Sequence, residues 1–260
     1  MGRAQRIRGA IDTYGQQIGT LQLVTNGTNP KLLRPLVLDE YYISTPAGRS
    51  ALLLGMLTYF LLFATLSGGL HLAIDSTAGE RERKSLEPLL TLPVSRTAVL
   101  LGKMAATLFF MLVSLALTLA AFKFSLARMP LDQMGMSSGF GLRAALLSFA
   151  VICPIAPLGA ALMTLIASFS KTYREAQTYL TFVLLVPTMP VMFASMLNVE
   201  PAQKLMWIPS LSQHLLVTTL IKGQPLVPSY VALSVASSVA LGVVVGWLAT
   251  RLYQREAILG

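Results

Sequence analysis

Five apolar runs, each long enough to cross a bilayer as a helix, constrain the fold of this chain more than any other feature. A membrane-spanning helix needs about 20 predominantly apolar residues, and we place such spans at about residues 51–75, 98–122, 144–169, 176–197 and 230–253. Charged residues make up 12% of the chain, against about 25% in soluble proteins. The sequence therefore predicts an all-α, polytopic helical membrane protein whose transmembrane domain covers residues 51–253.

Two of the connecting segments have an unusual composition. Residues 76–97 combine many charges with leucines, so we expect this loop to stay outside the bilayer and to begin a short helix at the capping-box pair Thr77 and Glu80, which Pro88 interrupts. From its residues alone, the loop fits a docking element for a partner and a solvated connection equally well. Residues 205–221 are apolar but short and broken, which favours a re-entrant or interfacial element on the outer side.

Lysine and arginine residues near the span ends predict the orientation. Placing loop 76–97 inside gives the inner side nine basic residues: Arg81, Arg83, Lys84, Arg96, Lys103, Lys171, Arg174, Arg251 and Arg255. The outer side then has five: Lys123, Arg128, Arg143, Lys204 and Lys222. We therefore predict a multi-pass protein of the plasma (inner) membrane with a cytoplasmic tail at residues 254–260.

The N-terminal tail, residues 1–50, conflicts with a simple five-span arrangement. Five spans and a cytoplasmic C-terminus put this tail outside, yet it is basic and no signal for translocation precedes it. We expect the tail to be the end of an extracytoplasmic segment whose preceding transmembrane helix is missing upstream of Met1. The alternative is a tail that stays inside, with a first apolar run that is not a full span.

Two proline pairs lie within consecutive spans. Pro154 and Pro157 lie in the third span, and Pro187 and Pro190 in the fourth. Because each proline removes a helical hydrogen bond, we expect both helices to be kinked or locally unwound. Discontinuous helices often line transport paths, whereas a tolerated packing kink is the simpler interpretation.

The last span carries a small residue at every fourth position: Ser234, Ser238, Gly242 and Gly246. Such a face lets helix backbones approach closely. We expect packing within the chain, with a dimer seam as the alternative.

Ionisable residues are rare in the spans. His71 in the first span is a functional candidate by default, although a neutral, hydrogen-bonded histidine near the interface is the more common case. Lys103 lies near the start of the second span, where we expect its side chain to snorkel to the head groups. Ser95 precedes this span and can cap its helix.

The motifs that would indicate chemistry are absent from the sequence. It contains no Gly-x-x-x-x-Gly-Lys-Ser/Thr phosphate loop, no His/Glu zinc motif and no Gly-x-Ser-x-Gly motif. The basic residues are scattered and accompany no nucleic-acid-binding motif, so the net charge of +9 indicates contact with anionic lipid. We predict no catalytic residues, no metal site, no cofactor bound by this chain and no nucleic-acid partner.

The charged loop carries the sequence Gly79-Glu80-Arg81-Glu82-Arg83, followed by Leu86-Glu87-Pro88-Leu89-Leu90, Pro93-Val94-Ser95-Arg96 and Gly102-Lys103. This pattern resembles the signature of type-two ABC exporter permeases (ABC-2 membrane subunits). The resemblance is strongest to the sodium-efflux, NatB-like branch, to which residues 35–46 and 208–216 are also similar, and it covers about residues 32–257. It implies a coupling helix in loop 76–97 that docks on a cytoplasmic ATPase through Glu80, Arg81, Glu82, Arg83, Leu86, Glu87, Pro88, Leu89 and Leu90.

The resemblance implies that the chain is the permease subunit of an ATP-driven exporter, with ATP and Mg bound by the partner and not by this chain. Two permease copies would pair with two ATPase subunits, and sodium is one candidate substrate. One alternative is a truncated, non-transporting membrane fragment or assembly factor. Another is an ion-coupled secondary transporter, which should carry buried acidic residues at mid-membrane, where the spans have none apart from the terminal Asp75.

Overall fold

The computed structural model describes residues 46–85, 93–128, 141–197, 199–221 and 224–253, together with the single positions Tyr14 and Ile18. The chain divides into two compact units, residues 1–43 and 44–260, and the second unit contains everything described below. Its helices are α1 (Pro46–Ile74), a π-helical turn (Asp75–Gly79), α2 (Glu80–Glu82), α3 (Arg96–Arg128), α4 (Leu142–Ile152), α5 (Ile155–Phe169), α6 (Tyr173–Leu197), a 3-10 turn (Gln203–Trp207), α7 (Leu211–Ile221) and α8 (Pro228–Tyr253).

The described ranges contain helices and no strand, which confirms the predicted all-α class. Four helical segments are long and apolar enough to cross a membrane: Met56–Glu82, Arg96–Arg128, Tyr173–Ser195 and Pro228–Tyr253. The pair α4–α5 meets the same criterion when it is counted as one span, with a bend of 42° at its break. The chain is therefore a polytopic helical membrane protein.

The first helix does not end at residue 75, where the sequence analysis ended the first span. It continues through the π-helical turn into α2, so part of the predicted coupling loop extends the span as helix. We had predicted that Thr77 caps this segment, and this prediction is wrong. Its hydroxyl donates instead to the carbonyl of Ala73 in the preceding turn. Ser95 does cap the next helix, since its Oγ accepts from the backbone N–H of Ala98 at 3.3 Å.

Helix α1 lies at the centre of the bundle and packs against α3, α5, α6 and α7. Toward its start, Leu61 and Leu62 are buried in an apolar cluster with α7 and part of α3. Toward its end, Ile74 is buried in a second cluster with α5 and α6. Gly68 sits against α3 so closely that a Cβ there would lie 2.3 Å from the Cβ of Ser114. This close contact joins the second half of α1 to the middle of α3.

The two proline pairs have different effects on their helices. In the third span, α4 ends at Ile152 and α5 begins at Ile155, so the helix is broken next to Pro154. In the fourth span, α6 runs without interruption through Pro187 and Pro190. The local unwinding that we considered for both spans therefore occurs only in the third.

Candidate functional site

The segment that follows α1 has one face turned toward the bundle and one toward solvent. Residues 77–79 are buried, whereas residues 82–85 are exposed. Helix α2 ends where Lys84 adopts a left-handed conformation with φ of 56°, a common way for a helix to terminate. The backbone N–H of Ser85 then donates to the carbonyl of Glu80 at 3.0 Å, which closes the turn.

A buried ion pair joins this segment to α3. The Nζ atom of Lys103 lies 2.6 Å from Oε2 of Glu80, and the side chains are 8% and 25% exposed. The position of Lys103 near a span end had suggested that its side chain snorkels to the head groups. The structure shows instead that it pairs with Glu80 inside the bundle. A buried ammonium group is costly unless it is paired, so Glu80 fixes where the end of α1 meets α3.

Two further hydrogen bonds join the segment to the connection between α5 and α6. Oε2 of Glu82 accepts from the backbone N–H of Tyr173 at 2.7 Å, and a guanidinium nitrogen of Arg81 donates to the carbonyl of Ser170 at 3.3 Å. Tyr173 is the first residue of α6, and a carboxylate at a helix N-terminus is stabilised by the unpaired N–H groups there. We call Glu80, Arg81, Glu82, Lys103, Ser170 and Tyr173 the charged clamp.

A second ion pair bridges the π-helical turn. Arg83 donates to Oδ1 of Asp75 at 2.9 Å and to the carbonyl of Asp75 at 3.3 Å. The hydrogen bond and the negative charge of Asp75 raise the pKa of the Arg83 guanidinium above its ordinary value. Gly79 lies between the two, where a Cβ would be 3.1 Å from Oδ1 of Asp75. The pair thus closes around a position that has little space for a side chain.

His71 lies at the same end of the bundle as the charged clamp. Its Nδ1 is 3.3 Å from the hydroxyl oxygen of Tyr173, and the imidazole is exposed. This arrangement agrees with the hydrogen-bonded interpretation of this histidine. Among the described residues, no group of three or more His, Cys, Asp or Glu side chains is placed to hold a metal ion.

The docking residues predicted from the sequence are only partly described. Glu80, Arg81 and Glu82 belong to the charged clamp, and Arg83 belongs to the ion pair with Asp75. The remaining docking residues lie outside the described residues: Leu86, Glu87, Pro88, Leu89 and Leu90.

The small residues of the last span face other helices of the same chain. Ser234 and Ser238 are buried and lie against α7. A Cβ on Gly242 would lie 3.2 Å from the backbone nitrogen of Leu158, so α8 and α5 meet almost backbone to backbone. Gly246 lies near Met104, where the corresponding distance to the terminal methyl carbon is 3.4 Å.

The predicted outer element is a buried helix. Helix α7 has 11 residues, too few to span a bilayer, and buries both apolar residues and the polar Ser212, Gln213 and His214. An interfacial helix would expose a polar face, so this burial fits the re-entrant alternative. The prolines are less enclosed than α7: Pro154, Pro157 and Pro187 are half-buried, and Pro190 is exposed.

Sequence reasoning missed the residues that receive the charged loop. Tyr173 and Ser170 contact Glu82 and Arg81 across 91 and 89 positions, a separation that local patterns do not report. One signal was present, since a lone lysine in an apolar run requires either water or a buried anion, and Glu80 lies in the preceding charged loop.

Comparison with known proteins agrees with this architecture. A family described as "ABC-2 family transporter protein" matches residues 2–251. The chain is 29% identical over 260 aligned positions to the ABC transporter permease protein NatB of Bacillus subtilis (strain 168), which covers 95% of this chain and 64% of that relative. The chain thus spans a little under two thirds of that relative's length. No solved structure matches the chain. Because the family match extends over almost the whole sequence, the chain belongs to the ABC-2 family of transporter proteins.

Proposed function

We propose that the chain is the permease subunit of an ATP-driven exporter in the plasma (inner) membrane, with a cytoplasmic C-terminus. A partner ATPase docks on loop 76–97 and binds the ATP and Mg, and two permease copies work with two ATPase subunits. Membership of the ABC-2 family supports this proposal, and so does the permease description of the Bacillus relative.

The charged clamp is the observation that carries the proposal. The docking segment is a helical extension of α1, and its inner face is tied to α3 through Glu80 and to α6 through Glu82. A force applied to this segment therefore acts on three membrane helices together. A flexible solvated loop would absorb such a force.

The outer face of the same segment is available to a partner. Arg83, Lys84 and Ser85 are exposed, and Arg83 makes its contacts with Asp75 while still open to solvent. Charges at the rim of an interface mainly set the association rate and the choice of partner. The segment can thus bind a partner on one side while the clamp holds the other side.

The test is co-purification of an ATPase with the tagged chain from its own host, analysed by native mass spectrometry. The variant Lys84→Glu reverses an exposed charge in the docking segment. Lys123→Glu makes the same change at an exposed position on α3 at the other end of the bundle, so it controls for net charge. Reversing a docking charge should cost about 1.4 kcal/mol, which lowers ATPase recovery about tenfold, whereas Lys123→Glu should match the parent.

A second variant separates docking from the clamp. Glu82→Lys removes the acceptor for the Tyr173 N–H and also reverses an exposed charge, so it should lower both ATPase recovery and thermal stability. Lys84→Glu should lower only recovery. If the parent carries no ATPase, the non-transporting fragment becomes the better description, and if both variants retain the ATPase, the partner docks elsewhere.

The substrate is a separate part of the proposal. Sodium is one candidate, but the described residues contain no cluster of acidic side chains that would select a cation. ATP-driven uptake of radioactive sodium into inside-out vesicles that contain the co-purified complex would test it directly. ATP-dependent sodium movement that the Lys84→Glu variant lacks would establish sodium as substrate, and its absence from the intact complex would eliminate sodium.

A further inference from the structure

A connected set of buried polar side chains lies between α7 and α8, at the end of the bundle opposite the charged clamp. We call Ser210, Ser212, Gln213, Ser234 and Ser238 the polar seam; each is at most 1% exposed. The amide nitrogen of Gln213 donates to Oγ of Ser238 at 2.7 Å. The hydroxyl of Ser234 donates to Oγ of Ser212 at 2.8 Å. Hydrogen bonds between side chains therefore hold α7 against the last span.

This pattern differs from that of buried hydroxyls elsewhere in the described bundle. Thr65, Thr107, Ser168 and Thr188 each donate to the carbonyl four residues earlier in their own helix. Such bonds do not depend on a neighbouring helix. Ser238 makes the same kind of bond to the carbonyl of Ser234, but the seam adds two bonds that cross the interface, Gln213 to Ser238 and Ser234 to Ser212, and these break if the two helices separate.

The polar seam also holds a strained turn. Ser210 has φ of 68°, a left-handed conformation that residues other than glycine rarely adopt and that costs about 1–3 kcal/mol when imposed. Two contacts maintain it: its N–H donates to Oε1 of Gln213 at 2.6 Å, and its hydroxyl donates to the carbonyl of Pro187 in α6 at 2.7 Å. The turn that leads into α7 is thus strained and is held by one bond to the seam and one to α6.

A cavity of about 290 Å³ lies beside the seam. Its wall includes Leu216 and Thr219 on α7, Gln224 on the following connection, and Tyr230 on α8. Tyr230 lies one helical turn before Ser234, so the cavity and the seam follow each other along the same face of α8. No residue of the seam lines the cavity, but the two are about one helical turn apart along α8.

The chemistry of the seam lowers the cost of exposing its own side chains to water. Water can replace hydrogen bonds between serine and glutamine side chains at little net cost, because a typical bond contributes only about 0.5–1.5 kcal/mol relative to water. Separating an apolar interface exposes hydrocarbon to water, at about 25 cal/mol per Å². The seam thus combines hydrogen bonds that water can replace, a strained turn and a nearby cavity, whereas the α7 side chains Leu215 and Leu216 pack in an apolar cluster.

We propose that the polar seam is a gate within each subunit: α7 swings about the Ser210 turn, and the interface between α7 and α8 opens to water during the transport cycle. The ATP dependence of this motion rests on the proposed exporter function. The opening itself does not, and the two can be tested apart.

The test measures how fast single cysteines react with a permanently charged, water-soluble methanethiosulfonate reagent that carries a trimethylammonium group. The full chain is used in membrane vesicles from its own host, with Cys153→Ser removing the single native cysteine. Ser238→Cys reports on the seam, and Ser234→Cys is a second reporter if the first variant fails to fold. Labelling is read as a mass shift of the intact protein.

Two control positions give the slowest and the fastest labelling rates that we expect. Val239→Cys lies next to the reporter in sequence, at a position of the last span where the native side chain is 43% exposed, and we expect lipid around it to keep the thiol from ionising. Gln224→Cys lies on the wall of the cavity and is exposed, so it should react in every state. Because only the thiolate reacts, a gate that opens should make Ser238→Cys react at least about tenfold faster than Val239→Cys.

Three outcomes separate the gate from the exporter function. Labelling of Ser238→Cys that is fast and changes with ATP plus vanadate supports both proposals. Labelling that is fast but insensitive to nucleotide supports the gate and counts against ATP-driven export. Labelling at the rate of Val239→Cys in every nucleotide state, in a preparation that retains its ATPase, overturns the gate and leaves the exporter function standing.

Discussion

Replacing Lys103 with methionine should destabilise the bundle, because it leaves the Glu80 carboxylate partly buried at the junction of α1 and α3. Removing one partner of a fully buried ion pair costs about 3–5 kcal/mol. The Glu80 side chain remains 25% exposed, so water can solvate part of its charge. We therefore expect a loss of about 2–3 kcal/mol in the free energy of unfolding, below the fully buried range.

The double-mutant cycle is more informative than the single variant. Glu80→Gln leaves the more deeply buried ammonium group of Lys103 without a counter-charge, which should cost about 3 kcal/mol. The double variant Glu80→Gln/Lys103→Met has no unpaired charge and should lie within about 1 kcal/mol of the parent. The summed costs of the two single variants should thus exceed the cost of the double variant by about 4 kcal/mol or more, which is above the usual coupling between contacting residues.

The assay is reversible unfolding in mixed micelles, followed by the fluorescence of Trp207 and Trp247. Lys123→Met is the matched control, since it removes an exposed lysine from the other end of the same helix and should change stability by less than about 0.5 kcal/mol. Additive costs in the cycle, or a Lys103→Met variant as stable as Lys123→Met, would show that the pair does not fix the junction.

Three further predictions concern close packing and the polar seam. Gly68→Ala brings a methyl group to 2.3 Å from the Cβ of Ser114 and should cost about 1–3 kcal/mol, which a second change to glycine at Ser114 should recover. Gly102→Ala has open space around it and should stabilise the helix by about 0.5–1 kcal/mol, so a similar loss in both glycine variants would refute the packing argument. Gly242→Ala meets a rigid backbone nitrogen at 3.2 Å and should cost about 1–3 kcal/mol in the same unfolding assay. Gln213→Leu leaves several buried polar groups without partners and should cost about 2–4 kcal/mol, and a variant of parental stability would show that these groups find other partners.

The sequence predicted the membrane spans well because a bilayer imposes one length and one composition on every spanning helix. The class follows from that constraint, whereas the small-residue face of α8 follows from close packing between helix backbones. Loop 76–97 was harder, because its first residues continue α1 through a π-helical turn that no local pattern indicated. The capping-box pair was misleading here, since a threonine inside a continuous helix bonds to its own preceding turn.

The functional site was harder to predict than the spans, because its contacts join residues that are distant in sequence. Lys103 was interpreted as a snorkelling residue because a lysine near a span end usually reaches water, and only the fold shows that Glu80 reaches it first. Gln213 lies in the short, broken stretch 205–221, which was interpreted as a re-entrant or interfacial element without any partner for its polar side chains. Its partner Ser238 lies 25 positions away, which is why the seam emerged only from the structure.

Helix α1 provides a physical connection between the clamp and the seam. The clamp binds α1 at Glu80, and Leu61 and Leu62 pack against the α7 residues Leu215 and Leu216 within one apolar cluster. At 1.5 Å per residue, the 18 positions from Leu62 to Glu80 correspond to about 27 Å of helix. A tilt of about 10° at the clamp would therefore displace the other end by about 5 Å, roughly the pitch of one helical turn. Such a displacement exceeds the length of the hydrogen bonds in the polar seam, so a motion that starts at the docking segment is large enough to break them.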